Sequence, residues 1–305
     1  MSERRVFLKT SLVLSLSFII NINAKELNDK EVNMEFFMPE ESEPHKRTWM
    51  SFVANDYIWS KKQIPEVKRN LALIAKTIAK YEPVNIILSK DDINNAIKLL
   101  DGLDSHNYPI TLIEKDVDDL WFRDTAPTFV YNNKNEKLGI DFNFNAWGNK
   151  QEFKLDSELS SFITKHEKLK VLKTHLTLEG GCFEINGHGV AIMTESCIIN
   201  DNRNPNLSKN EIEKELKYLL GLEKIIWLKG LKDKDITDAH TDFYARFTKE
   251  DEILVAYEPY KDSYEHQLTL ENIEILKNAS DLNGKKFKIK ELKENLPENF
   301  YSKIL

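Results

Sequence analysis

The chain has 305 residues, of which 41% are hydrophobic and 30% are charged, and its formal net charge is -7. This length and composition suffice for a full hydrophobic core and exclude a disordered or fibrous protein. Because nucleic acids are bound by basic surfaces, the acidic balance argues against a nucleic-acid partner and is compatible with a cationic ligand.

The first two dozen residues differ from the rest of the chain. Arg4 and Arg5 precede an apolar run over 12–20, and a small-residue cleavage point follows. This pattern is typical of a twin-arginine export signal, and the apolar run is too short for a stable membrane anchor. We therefore predict that residues 1–24 direct export to the periplasm or the extracellular space, and that residues 25–305 form the folded domain.

The folded part opens with a strand, a helix and a strand. TWMSFV and VNIILS have the composition of strands, and the helix between them starts at Pro65. Four apolar residues at helical spacing predict the buried face of this helix: Val67, Leu71, Ile74 and Ile78. A further helix over 91–100 and a strand over 110–114 follow.

Downstream, a β-hairpin, an amphipathic helix and a further strand recur as one unit. The first copy has WFRDTAPTFVYNN and KLGIDFNF, a helix over 157–165 and a strand from Val171. The second copy has the hairpin CFEINGHGVAIMTE, a helix from Ser208 and the strand KIIWL. The third runs from Thr241 through FYARF and ILVAY to a helix over 268–282 and the strand FKIKEL.

The helix of the second copy has the clearest boundaries. Ser208 and Glu211 form an S-x-x-E capping box, and Gly221 is a stop signal. The apolar residues of one face complete the pattern: Ile212, Leu216, Leu219 and Leu220. The polar run DNRNPNLSK before this helix is predicted to be a turn.

The recurrence predicts an α/β fold built from similar units. The corresponding landmarks Trp121, Leu178 and His240 are 57 and 62 residues apart. An ordinary α/β domain with coincidental spacing is the alternative. A ring of such units would direct the starts of its hairpins toward a shared centre, and function would then lie there. The chain ends where another hairpin would begin, so we expect the last unit to be incomplete.

Three hairpin starts contain ionisable groups where strands are usually apolar. They are DDLWFRDTAP, LEGGC and TDAHTD. Buried charges are unfavourable unless they are paired or meet a ligand. These three interruptions therefore predict a functional site.

Together with MPEESEPHKRTWMSF, TESCIINDNRNPNLSKNEIEKEL and TDAHTDFYARF, the motifs WFRDTAP and LEGG resemble the agmatine deiminase family, which is related to bacterial peptidylarginine deiminases. The resemblance implies a five-bladed ββαβ pseudosymmetric propeller of the pentein type, with its last blade incomplete. It also implies hydrolysis of agmatine to N-carbamoylputrescine and ammonia, a step of putrescine biosynthesis, without a cofactor or a metal.

The resemblance implies a role for each of five residues. Asp124 and Asp242 would bind guanidinium nitrogens, for which carboxylates are natural partners, and Trp121 would lie against the substrate. His240 would donate a proton to the departing nitrogen and later activate water. Glu179 would orient the His240 ring and support its charged form.

The family nucleophile is a cysteine in a C-terminal glycine-rich motif, and this chain has no such motif. Its two cysteines, Cys182 and Cys197, lie in apolar surroundings, and we expect both to be buried. For Cys197 this expectation also follows from the alternation of buried and exposed residues along a strand. A disulfide between them is possible in an oxidising compartment. We assign neither as the nucleophile, because a reactive thiol needs an exposed, electropositive setting.

Three alternatives stay open. Phe243 occupies a position that is often polar in agmatine deiminases, so the substrate could be an arginine side chain of a protein. The chain could instead bind guanidines without catalysis. In a third hypothesis, Asp238, His240 and Asp242 alternate along a strand and bind a metal ion. The sequence does not predict an oligomeric state.

Overall fold

The computed structural model describes residues 19–21, 35–101 and 107–293. Its strands are β1 Ile19–Asn21, β2 Phe36–Phe37, β3 Thr48–Ser51, β4 Val84–Leu88, β5 Ile110–Glu114, β6 Thr128–Asn132, β7 Lys137–Asp141, β8 Lys170–Lys173, β9 Phe183–Ile185, β10 Val190–Thr194, β11 Lys224–Leu228, β12 Ala245–Lys249, β13 Glu252–Tyr257 and β14 Lys288–Lys293. Its α-helices are α1 Ile64–Ile78, α2 Ile93–Leu100, α3 Phe122–Thr125, α4 Ala146–Asn149, α5 Leu159–His166, α6 Glu195–Ile198, α7 Lys209–Leu220 and α8 Glu265–Asn278.

The predicted export signal over 1–24 lies outside the described residues except for β1, which pairs in parallel with β8. None of the helices in the described part of the chain has the length and apolar character that crossing a bilayer requires.

The described residues divide into two compact units. The first contains β1 and residues 42–101, 107–128 and 138–174. The second contains residues 35–41, 129–137 and 175–293.

In the first unit, β3, β4 and β5 form a parallel sheet, as the strand–helix–strand pattern predicts. Its core packs α1 and α2 against the sheet. Ile74 was expected on the buried face of α1, and this was wrong, since 48% of the residue is exposed. Ala75 takes its place and is fully buried, because a small side chain lets the helix lie close to the sheet.

The second sheet of the first unit contains β1, β8 and β7, all parallel. The helix α5 precedes β8, as predicted from the first copy of the repeat. Gly139 in β7 lies against this helix, because a Cβ atom there would be 2.2 Å from Oγ1 of Thr164.

In the second unit, the second and third copies of the repeat have the same topology. The strands β9 and β10 form an antiparallel hairpin, and α7 leads to β11, which pairs in parallel with β10. The strands β12 and β13 are likewise antiparallel, and α8 leads to β14, which is parallel to β13. These pairings confirm a mixed α/β fold built from recurring units.

The boundaries of α7 agree with the sequence prediction. The Ser208 side chain accepts a hydrogen bond from the Glu211 backbone, and the Glu211 side chain accepts from the Ser208 backbone. At the other end Gly221 has a left-handed φ of 68°. A Cβ atom there would also lie 2.3 Å from the backbone oxygen of Phe36, so both conformation and space favour glycine.

The boundaries of α8 differ from the predicted 268–282. The helix spans Glu265–Asn278, and the chain turns immediately after it. The Asp281 side chain accepts hydrogen bonds from the backbone of Asn283 and Lys285, and this local turn competes with continued helix.

The three charged motifs were expected to begin strands, and this was wrong. Each motif contains a single helical turn that is followed within a few residues by a strand. These turns are α3 before β6, the 3-10 turn Gly180–Cys182 before β9, and the 3-10 turn Thr241–Phe243 before β12. Such a turn lets consecutive polar side chains point in different directions, whereas a strand would place alternate ones on one face.

Candidate functional site

A buried hydrogen bond between Glu179 and His240 lies at the centre of the candidate site in the second unit. Nε2 of His240 is 3.1 Å from Oε2 of Glu179, and both residues are at most 2% exposed. Glu179 immediately precedes the turn Gly180–Cys182, and His240 immediately precedes the turn Thr241–Phe243. The two turns therefore bring together residues 61 positions apart in the sequence.

Gly181 determines how closely the His240 ring approaches the backbone. A Cβ atom at Gly181 would lie 2.3 Å from Nδ1 of His240 and 3.1 Å from Oδ2 of Asp242. Both side chains thus face the same glycine. Because Nε2 is hydrogen-bonded to Glu179, Nδ1 is the ring nitrogen on the side of the Asp242 carboxylate.

Arg203 is buried beside this pair and was not predicted. Its Nε lies 2.9 and 3.0 Å from the two carboxylate oxygens of Glu179. Burial alone would raise the pKa of Glu179, but the hydrogen bond with His240 and the charge of Arg203 outweigh it and lower that pKa. Burial would lower the pKa of Arg203, and the charge of Glu179 instead raises it. Glu179 and Arg203 are therefore a buried ion pair at neutral pH.

Both cysteines are free, buried thiols, as expected. Cys197 lies in the short helix α6, so its burial does not follow from strand alternation. Sγ of Cys182 donates a hydrogen bond to Oε2 of Glu179 at 3.0 Å. Burial raises the pKa of the Cys182 thiol well above its usual value, and Cys197 and the charge of Glu179 raise it further. This is the setting of an unreactive thiol.

The metal hypothesis loses its geometric basis. The segment that contains Asp238 is a loop with left-handed φ values of 62° at Asp238 and 69° at Ala239, so alternation along a strand does not apply. Oδ2 of Asp238 is 2.9 Å from Nη1 of Arg203. Glu179, Cys182 and His240 do offer ligand-type atoms within 4.8 Å of one another, but a cation there would compete with the buried guanidinium on Glu179.

In the first unit, Asp124 and Trp121 are at the turn α3. Oδ2 of Asp124 accepts a hydrogen bond of 2.9 Å from the indole of Trp147, which is buried in a stretch with left-handed backbone. The side chain of Trp121 interacts with Asp119 and lowers the pKa of that carboxyl, while 47% of Trp121 is exposed. Both predicted substrate-binding side chains are thus held in place by a neighbour.

Two buried carboxylates, Asp118 and Asp156, each bind backbone N–H groups of the other's segment. Asp118 accepts hydrogen bonds from the backbone of Leu155 and Asp156, and Asp156 accepts from the backbone of Asp118 and Asp119. Burial raises the pKa of Asp156 to about 7, with a further contribution from the charge of Asp118.

The structure therefore brings Glu179 to His240 and brings His240 and Asp242 to Gly181, and it places Asp124 and Trp121 on one turn of the other unit. Their catalytic and binding roles stay predictions. Sequence reasoning missed Arg203. A lone arginine among asparagines in DNRNPN is nevertheless a usable signal, since a charge in a buried run needs a partner.

Comparisons with known proteins agree with the mixed α/β fold described above. A family model described as Porphyromonas-type peptidyl-arginine deiminase matches residues 37–303. The agmatine deiminase of Pseudomonas aeruginosa (strain LESB58) is 35% identical over 257 residues, which are 82% of this chain and 68% of that protein.

Two solved structures are similar as well. Agmatine deiminase of Enterococcus faecalis, catalysing its reaction, is 30% identical with a TM-score of 0.78, over 85% of this chain and 71% of that one. A cysteine-to-serine variant of C. jejuni agmatine deiminase with substrate bound is 26% identical with a TM-score of 0.71, over 85% of this chain and 74% of that one.

The fold and these similarities define a class of mixed α/β proteins that includes the agmatine deiminases and the peptidylarginine deiminases. The chain belongs to the Porphyromonas-type peptidyl-arginine deiminase family, and the resemblance stated from its motifs is confirmed.

Proposed function

We propose that this chain is an agmatine deiminase-like hydrolase of guanidine C–N bonds. The substrate would be agmatine, and the products N-carbamoylputrescine and ammonia. The observation that carries this proposal is the buried hydrogen bond between Glu179 and His240, together with the position of Asp242 beside the same glycine, Gly181, as His240. Family membership supports the reaction class.

The residues of the second unit can perform the proton transfers of this reaction. Net hydrolysis breaks one carbon–nitrogen bond of the guanidinium, releases that nitrogen as ammonia and leaves the oxygen of water on the carbon. A guanidinium bound by Asp242 lies beside Nδ1 of His240. This nitrogen can accept a proton as the oxygen of water bonds to the guanidinium carbon, and it can then donate a proton to the nitrogen that departs as ammonia. The Glu179 carboxylate holds the ring and stabilises its charged form.

In the first unit, we propose that Asp124 binds guanidinium nitrogens and that Trp121 presents its exposed face to the substrate. The hydrogen bond from Trp147 fixes one oxygen of Asp124, and this supports a preorganised carboxylate. The exposed indole of Trp121 can stack on a planar cation.

A second candidate function is guanidine binding without turnover. The specific observation in its favour is that both cysteines of the sequence are buried, with the pKa of Cys182 raised. Carboxylates and an imidazole can still capture a cation when no reactive thiolate attacks it.

Ammonia release and ureido-product assays on the purified chain, combined with calorimetry, distinguish these functions. We expect agmatine turnover that falls about 10²–10⁴-fold in His240→Gln, the usual contribution of general acid–base catalysis. His188→Gln is the matched control, because the His188 side chain is 58% exposed, and it should leave turnover unchanged.

Each remaining outcome has a defined meaning. Agmatine binding without turnover in wild-type protein would establish the guanidine-binding function instead. Turnover of a peptidylarginine substrate but not of agmatine would change the substrate. Neither binding nor turnover in a folded sample would contradict both candidates.

We further propose that the recurring units are blades of a five-bladed ββαβ propeller. The shared order of hairpin, helix and parallel strand in the β9–β11 and β12–β14 sheets supports this arrangement. The order β7, α5 and β8, with β7 and β8 parallel, fits the same unit.

A further inference from the structure

Arg203 carries the strongest unassigned network among the described residues. Its side chain is fully buried, and its donors go to three different segments. Besides Glu179, its Nη1 donates to Asp238 at 2.9 Å and to Asn202 at 3.1 Å, and its Nη2 donates to the backbone oxygen of Thr237 at 2.8 Å.

The neighbouring residue, Asn204, fixes the loop from which Arg203 projects. Its side-chain oxygen accepts from the backbone nitrogen of Thr177 at 3.0 Å, and its side-chain nitrogen donates to the backbone oxygen of Thr177 at 3.0 Å. The same nitrogen donates to the backbone of Ile198. Consecutive residues thus bind the backbone before Glu179 and the carboxylate of Glu179 itself.

The Arg203 guanidinium also holds the loop that ends at His240. Asp238 and Ala239 both have left-handed φ, a conformation that is unfavourable for alanine and is visited more readily by aspartate. The Asp238 carboxylate, bound by Arg203, accepts a further hydrogen bond of 2.9 Å from the backbone of Asp233. These bonds set the direction in which His240 leaves the loop.

Arg203 also sets the net charge of the buried cluster around His240. With His240 neutral, Glu179 and Asp238 contribute two negative charges and Arg203 contributes one positive charge, so the buried cluster carries one net negative charge. Protonation of His240 makes the cluster neutral. Without Arg203 the same cluster would carry two negative charges and would hold the His240 proton too tightly to release it.

We propose that Arg203 is a positioning residue for the His240 proton transfer: it keeps Glu179 ionised and directed at Nε2, and it balances the charge of the buried cluster. This proposal rests on the proposed function, because it assigns Arg203 a role in the same reaction. It adds a residue that contacts neither the substrate nor the reacting atoms.

The titration of His240 tests the proposal without any substrate. The groups that face its ring are Glu179 and Cys182 from the preceding turn and Asp242 from its own segment, with Arg203 and Asp238 behind Glu179. Removal of the Arg203 charge raises the pKa of both members of the coupled Glu179–His240 pair, so the pair takes up its proton at higher pH.

The experiment uses the full chain labelled at the ring carbons of its seven histidines, with the His240 signal assigned by its loss in His240→Gln. In Arg203→Met we expect the His240 titration to move upward by about one to three pH units, the usual effect of one nearby charge. In Arg203→Lys, which keeps the charge, the midpoint should stay within about half a unit of wild type.

Two further variants keep the test decisive. Arg69→Met, an exposed arginine of α1, is the matched control and should leave the His240 titration unchanged. The double variant Arg203→Met, Asp238→Asn restores one net negative charge, so its midpoint should return toward wild type, and it serves as the test if Arg203→Met alone does not fold.

Unchanged His240 titration in folded Arg203→Met would overturn the proposal. If Arg203→Met does not fold, a folded double variant whose midpoint stays more than about one unit above wild type would overturn the proposal as well. If neither variant folds, an upward shift of about one to three units in Arg203→Lys, which keeps the charge, would also overturn it. Because these readings use no agmatine, a chain without turnover but with the expected shift would refute the proposed function alone.

Discussion

At the level of single residues, Gly181 is the position where a missing side chain matters most. Its Cα lies so close to the His240 ring that a Cβ atom would be 2.3 Å from Nδ1. The nearest atoms belong to a buried ring that is fixed by Glu179, so they cannot move aside cheaply.

We predict that Gly181→Ala displaces the His240 ring. The unfolding free energy should fall by about 1–3 kcal/mol, as for other overpacked sites, and agmatine affinity should fall about tenfold, or about 1.4 kcal/mol. Calorimetry and urea unfolding measure the two effects. Gly284→Ala is the control: its φ is 80° and nothing lies within 4 Å of the added Cβ atom, so it should lose stability and keep affinity.

Asp156 makes the stability of the first unit depend on pH. Its folded-state pKa of about 7 is above the usual value of 3.8. A raised pKa contributes stability that is fully present below the unfolded pKa and is lost as the pH rises through the folded pKa.

We therefore predict that wild-type protein loses up to about 3 kcal/mol of unfolding free energy through Asp156 between pH 5 and pH 8. Asp156→Asn cannot ionise and should lack this part of the pH dependence, although its absolute stability is lower because Asp156 accepts two backbone hydrogen bonds. Urea unfolding of both proteins at the two pH values gives the comparison. Parallel pH profiles would show that Asp156 titrates normally.

At the level of elements, α7 is held by local signals at both ends. The capping box satisfies donors of the first turn, and Gly221 allows the left-handed stop. Four fully or almost fully buried side chains then attach its apolar face to the core: Ile212, Leu216, Leu219 and Leu220.

We predict that Ser208→Ala lowers the unfolding free energy by about 1 kcal/mol, since it removes the N-cap acceptor. Ser208→Thr retains a hydroxyl acceptor and should remain within about half a kcal/mol of wild type. Thermal and urea unfolding measure both. Equal stability of the alanine and threonine variants would show that the capping box contributes nothing measurable.

Local chemistry explains what the sequence could predict. The boundaries of α7 follow from residues within one or two helical turns, so pattern reasoning located them correctly. Arg203 was missed because its partners Glu179 and Asp238 are 24 and 35 residues away. Trp147 was missed because its role depends on a left-handed backbone that no periodicity reveals. The repeat predicted that the hairpin starts with Glu179 and His240 converge, and the resemblance to a family added the roles of the two residues.

At the level of the whole molecule, the charge pattern of the N-terminus is the feature that the folded units do not explain. We propose that residues 1–24 direct export through a twin-arginine route. An exported reporter fused to this segment should lose most of its export in the double substitution Arg4→Lys, Arg5→Lys, because that pathway distinguishes arginine from lysine. Lys9→Arg should leave export intact. Export that survives the double substitution would contradict the route.

The hydroxyl of Thr241 has a consequence for how the second unit opens. It accepts the backbone N–H of Thr194 at 2.9 Å and donates to the backbone oxygen of Cys182, so the end of β10 is tied to the turns that carry His240 and Glu179. Amide protons at strand ends ordinarily exchange with solvent by local fraying. The deuterium uptake of Thr194 should instead follow the rare opening of the candidate site, and thus report on that opening from a residue outside the site.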